Sequence, residues 1–139
     1  MTTPRETHKG QCLCGGVRYE VAGPLRPIIA CHCSQCRRTS GHFLAATEAP
    51  TSAIKLIESS TLAWYVSSKV AKRGFCNRCG GNLFWRELDE TKNQTSIMAG
   101  ALDPPTHLSI EKHLYVADKS DYYSINDDAR QWAQDSRPM

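Results

Sequence analysis

Seven cysteines fall into three short clusters in this chain of 139 residues: Cys12-Leu13-Cys14, Cys31-His32-Cys33-Ser34-Gln35-Cys36 and Cys76-Asn77-Arg78-Cys79. Thiols that merely pack as small hydrophobes have no reason to gather in this way. Disulfides fit poorly, because the number is odd, a Cys-x-Cys pair is too close in sequence to bridge without strain, and a reducing cytosol opposes the bond. Thiolate ligation of zinc fits better. A structural zinc is closed by four protein ligands, whereas a catalytic zinc keeps three and leaves one position for water or substrate. Seven sulfurs divide accordingly. Cys12, Cys14, Cys76 and Cys79 are expected to form a closed structural site, and Cys31, Cys33 and Cys36 an open one with a corner left for chemistry. Two zinc ions per chain follow.

Local chain chemistry supports this division. Alternate residues of a strand share a face, so Cys12 and Cys14 can point at one ion if the chain bends, which Gly15-Gly16 permits. The Cys-x-x-Cys pair has the spacing of a zinc knuckle, and Gly80-Gly81 can take the positive φ that curls a loop around a metal. Two alternatives stand beside the open site. One is a second structural zinc completed by His32, His42 or another side chain. The other is a redox-sensing thiol cluster, with Arg37 and Arg38 lowering the thiol pKa values.

The elements that must position these residues are mostly short strands. Val17, Tyr19 and Val21 alternate with Arg18 and Glu20, the pattern of a half-buried strand. Pro27 to Ala30 reads as a buried strand delivering the chain into the triplet, and Gln35 to Thr39 as one helical turn whose first amides favour thiolate charge. Further strands are expected at 42–48, 54–57, 61–65, 70–75, 82–86, 96–102 and 113–116. The polar run Glu87 to Gln94 reads as a hairpin loop. Asp127 to Gln134 predicts a short C-terminal helix capped by Asn126 or Asp127. The expected class is mainly β, with residues 1–9 as a polar tail and 10–139 as a single domain.

Composition narrows the function. Aliphatic residues are sparse, so the core needs reinforcement of the kind a metal staple provides. The formal net charge is only +3, and its basic residues are scattered, so no electrostatic stripe for nucleic acid is expected. Seven thiolates loaded with two zinc ions would bring that charge close to zero. No apolar run approaches the roughly 18 residues of a membrane span. The polar N-terminus lacks the apolar core of a secretory signal, which points to a cytoplasmic protein.

Three segments together are recognisable: Gly10-Gln11-Cys12-Leu13-Cys14-Gly15-Gly16-Val17-Arg18-Tyr19, Cys31-His32-Cys33-Ser34-Gln35-Cys36-Arg37-Arg38-Thr39-Ser40-Gly41 and Phe75-Cys76-Asn77-Arg78-Cys79-Gly80-Gly81-Asn82-Leu83-Phe84. In order and spacing the chain resembles the glutathione-dependent formaldehyde-activating enzyme family, which includes centromere-protein-V-like members, from about Gly10 to Tyr123. The resemblance implies several small coiled sheets around a structural zinc, similar to the β-tent of the Rab exchange-factor chaperones. It implies the same division of cysteines into structural and catalytic sites. It also implies a carbon–sulfur lyase whose founding activity condenses glutathione with formaldehyde to S-hydroxymethylglutathione, so the expected partner is a small thiol. A non-catalytic zinc-stabilised interaction module is the competing expectation. Tyr122 stands where the family pattern leads one to expect tryptophan. Arg37 and Arg38 are candidates for attracting the carboxylates of a glutathione-like substrate. His32, between two ligands, is read as packing or a hydrogen-bond donor behind the ligands rather than a proton shuttle, with His42 and His113 weaker candidates.

Overall fold

The computed structural model of the chain describes residues 6–135. Within them the chain divides into two compact units. One runs to Arg26 and resumes over Thr47–His107, and the other comprises Pro27–Ala46 and the chain from Leu108.

The first unit begins with β1 (Thr7–Gln11) and β2 (Arg18–Ala22), an antiparallel pair in which Gly10 faces Tyr19. The alternation read at Val17, Tyr19 and Val21 is realised, since all three are almost wholly buried. A third strand, β5 (Ile54–Glu58), pairs antiparallel on the other side of β2. The second sheet of this unit runs in the order β4-β9-β8-β7-β6, where β4 is Leu44–Pro50, β6 Leu62–Val66, β7 Ala71–Cys76, β8 Asn82–Glu87 and β9 Gln94–Met98. Its core gathers Leu83, Phe84, Ile97 and Met98, with the Tyr19 and Phe84 rings 5.1 Å apart.

Thr7 to Lys9, read from the sequence within a polar tail, lie in β1; residues 1–5 are outside the described part of the chain. Polarity hid this strand because it is held by main-chain pairing to β2, and only Gly10 in it is buried. That glycine is required by packing. A Cβ at position 10 would lie 2.4 Å from Cζ and Oη of Tyr19, a ring that is 1% exposed and has no room to swing aside. Gly10→Ala is therefore expected to cost about 1–3 kcal/mol by overpacking. An unchanged urea midpoint for this variant would contradict the tight contact.

The second unit holds strands in the order β11-β10-β3 followed by the first three residues of β4 (44–46), with β3 spanning Ile28–Cys31, β10 Ile110–Leu114 and β11 Arg130–Gln131. β3 pairs antiparallel to the start of β4 and parallel to β10, which explains its apolar run. After β3 comes α1 (Ser34–Ser40), one residue longer at each end than the sequence suggested and closed by Gly41 at φ 84°. Arg37 O accepts from the Gly41 amide at 2.9 Å, the usual end of a short helix.

The mainly β class holds, but the C-terminal helix does not form. Asp127 to Gln134 carries instead the two-residue strand β11, parallel to β10 through Lys112–Arg130 and His113–Gln131. Trp132 and Gln134 are tied by main-chain bonds to His113 in β10 and to Tyr115 and Val116 just after it. The helical spacing of this segment was a local preference, and sheet pairing overrides it.

Candidate functional site

The four-cysteine cluster lies within the first unit. Cys12 and Cys14 sit in the turn between β1 and β2, outside the strand the alternation argument invoked, and Gly15 supplies the bend at φ 79°. Cys76 ends β7, Cys79 lies in the following turn, and Gly80 adopts φ 78° as the loop curls. Gly81 has to be small, because a Cβ there would lie 3.2 Å from that of Cys12.

All four sulfurs lie within 4.8 Å of one another. Cys12 and Cys14 are 3.7 Å apart and Cys14 and Cys76 3.6 Å. Two sulfurs on a tetrahedral zinc with bonds near 2.3 Å stand about 3.8 Å apart, so the cluster fits a closed four-thiolate site.

Donors surround these sulfurs. The Val17 amide points at Cys12 Sγ at 3.3 Å, and the Arg78 and Cys79 amides at Cys76 Sγ at 3.4 Å. Burial works against ionisation of Cys76, yet the Thr61 hydroxyl and these amides outweigh it and bring the thiol down to about 5. At the exposed Cys14, Arg78 donates through Nε to the sulfur at 3.2 Å. That contact was not foreseen from the sequence, since Arg78 is one basic residue among many.

The triplet lies within the second unit. Cys31 is the last residue of β3, Cys33 is the N-cap of α1, and Cys36 lies inside the helix. Cys33 Sγ takes the place of an N-cap oxygen and accepts from the Cys36 amide at 3.3 Å. The three sulfurs again lie within 4.8 Å of one another, Cys36 buried and Cys31 and Cys33 partly exposed. Thiol donation from Cys31 and Cys36, helped by the Cys36 and Gln35 amides, pulls Cys33 far below its ordinary value. Cys31, which donates in that arrangement, is pushed up. Among the described residues no histidine or carboxylate atom joins the group, so neither His32 nor His42 stands as a fourth ligand.

His32 points elsewhere. It is fully buried, and burial lowers its pKa to about 4. Its Nδ1 lies 2.5 Å from the Tyr123 hydroxyl and its Nε2 2.9 Å from Nδ1 of the equally buried His113. His113 Nε2 in turn lies 2.9 and 3.0 Å from the two oxygens of Asp127, whose carboxyl this contact holds below its ordinary value. His42 is exposed, with Nδ1 2.5 Å from the hydroxyl of Tyr122. Arg37 follows Cys36 and has a buried Nε without a hydrogen-bond partner among the described residues, whereas Arg38 is exposed. The sequence pointed to His32 and His113 but not to Asp127 or Tyr123, which no spacing ties to the triplet.

The family model for the glutathione-dependent formaldehyde-activating enzyme matches residues 7–118. The chain belongs to that family. This span includes all seven clustered cysteines and ends before Tyr123 and Asp127. Among curated proteins, an uncharacterized lyase of Schizosaccharomyces pombe is 27% identical over 121 residues, covering 85% of each chain. A crystal structure of a Rhodobacter sphaeroides protein superposes with a TM-score of 0.59 at 22% identity, over 89% of this chain and 98% of that one, and so shares the fold. No helix of the described residues is long and apolar enough to cross a membrane.

Proposed function

We propose that the chain is a zinc-dependent carbon–sulfur lyase-type enzyme that acts on a glutathione-like thiol and its aldehyde adduct, of the S-hydroxymethylglutathione type. The observation that carries this reading is the triplet itself, in which three sulfurs converge and no fourth cysteine, histidine or carboxylate joins them among the described residues. The family match and the name of the yeast relative support it at the level of reaction class.

Cys31, Cys33 and Cys36 would hold the catalytic ion, and Cys12, Cys14, Cys76 and Cys79 the structural one. When bound, the open ion supplies a Lewis-acidic position that favours the thiolate form of a substrate sulfur or polarises a carbonyl oxygen. The protein's own residues do the rest. α1 fixes Cys33 and Cys36 on one turn, with the Cys36 amide holding the Cys33 sulfur in place. Cys31 and Cys33 are partly exposed, so the cluster lies at the surface rather than in the core. Arg37 carries a positive charge directly after the last ligand, where a carboxylate of a peptide-like thiol would be drawn. The scattered charge and the absence of a basic stripe fit a small-molecule substrate.

Cobalt substitution tests the reading. The protein should take up two equivalents with tetrahedral thiolate spectra, and glutathione should perturb only the spectrum that is lost in Cys33→Ser. A spectrum indifferent to glutathione, or four protein ligands at both ions, would favour a zinc-stabilised interaction module instead.

A further inference from the structure

The interior of the second unit is unusual in being built around two fully buried histidines. Buried polar groups are costly unless every hydrogen bond is made. Here one arrangement of neutral rings satisfies every contact. The Asp127 carboxylate, which also accepts from the Ala129 amide at 3.0 Å, can only accept, so His113 donates from Nε2. His113 Nδ1 is then bare and accepts from His32 Nε2, and His32 Nδ1 accepts from the Tyr123 hydroxyl. The carboxylate thus sets both tautomers from one end, as a buried aspartate orients the imidazole of a catalytic triad. Rings pack around the chain, with Phe43 5.0 Å and Tyr123 5.8 Å from His32 by centroid. Lys119 lies 4.4 Å from the centre of the Tyr123 ring.

The chain ends on the one residue that lies between Cys31 and Cys33. The His32 amide is also tied to Leu114 O at 2.9 Å, so ring and main chain are both fastened to the segment that begins with β10. We propose that Asp127, His113 and Tyr123 are positioning residues for the three-cysteine site, acting through His32 to hold the Cys31–Cys33 main chain in its metal-binding conformation. The proposal rests on the reading that this triplet holds an ion. Two of the three residues, Tyr123 and Asp127, lie beyond residue 118, where the family match ends.

Removing a group that orients metal ligands from behind typically costs about 10–100-fold in metal affinity. Tyr123→Phe and Asp127→Ala should each weaken zinc at the three-cysteine site by that factor in a chelator competition. Zinc at the four-cysteine site should stay near wild type, the melting temperature should fall by only the few degrees that one unpaired buried nitrogen costs, and Asp127→Glu should recover most of the loss. Imidazole ¹⁵N spectra of the wild type should show both rings protonated at Nε2. In protein with zinc at the four-cysteine site and none at the triplet, the amides of Cys33 to Arg37 should exchange faster in Tyr123→Phe than in wild type. Unchanged affinity at the triplet, or an equal loss at both sites, would overturn the proposal. A wild-type triplet that takes up no zinc would sink the metal reading alone, and the amide exchange of the variants with only the four-cysteine site loaded would then decide the positioning role: faster exchange upholds it and unchanged exchange overturns it.

Discussion

Cys33→Ser should lower kcat/KM for the thiol–aldehyde adduct at least a thousandfold, about 4 kcal/mol of transition-state stabilisation, while the protein stays folded. Cys33 has two separable jobs. It is one of only three sulfurs in the open cluster, and it caps α1 by accepting from the Cys36 amide at 3.3 Å. Serine is among the best N-cap residues, so the helix keeps its start. What serine cannot supply is a soft thiolate, and two sulfurs do not hold a zinc ion against water. Metal analysis should fall from two equivalents to one, with the melting temperature within a few degrees of wild type. Cys33→Ala removes the cap as well, and should add about 1 kcal/mol of destabilisation to the same loss of activity. Activity within tenfold of wild type, or retention of both ions, would show that the triplet is not where the reaction occurs.

Cys76→Ser should have the opposite signature, a collapse of stability. Cys76 is fully buried at the end of β7, receives two main-chain amides, and lies 3.6 Å from Cys14, a residue 62 positions away in the chain. A closed four-thiolate site contributes its binding free energy to folding, about 10–16 kcal/mol in small zinc domains. Whole domains are stable by only about 5–15 kcal/mol. The unit that carries this cluster has few large aliphatic side chains to compensate, so the variant is expected to lose its sheet signal in far-ultraviolet circular dichroism at 25 °C. Chelation of the wild type should reproduce the effect. Cys14→Ser should be milder, because that position is exposed and the Arg78 guanidinium remains to neutralise a weaker ligand. A Cys76→Ser protein that melts within about 5 °C of wild type would be losing no more than about 2 kcal/mol, and the staple would then not be what holds this unit together.

The two signatures differ because the clusters join different things. The closed one links segments far apart in sequence, so losing it releases a long loop. The open one lies within six residues of a single strand-to-helix turn, so losing it costs chemistry and little topology.

Residue types and short spacings alone determined the division of the cysteines. Cysteines two or three residues apart have little conformational freedom, so Cys31, Cys33 and Cys36 converge because the chain between them is short and enters a helical turn. The bends at Gly15 and Gly80 were legible for the same reason, as was β2, where Val17, Tyr19 and Val21 alternate. Elements whose cause is not local stayed hidden. β1 is polar and exists through pairing with β2, and the segment after Asp127 has helical spacing but is drawn into the sheet by β10. Only the tertiary structure decided that no histidine or carboxylate among the described residues joins the triplet, and that His32 turns its ring toward His113, 81 residues on, and Tyr123, 91 residues on. Those partners are selected by strand register, here Cys31 opposite Leu114. Register is settled by the sum of many weak pairings across the sheet, which no short stretch of residues encodes.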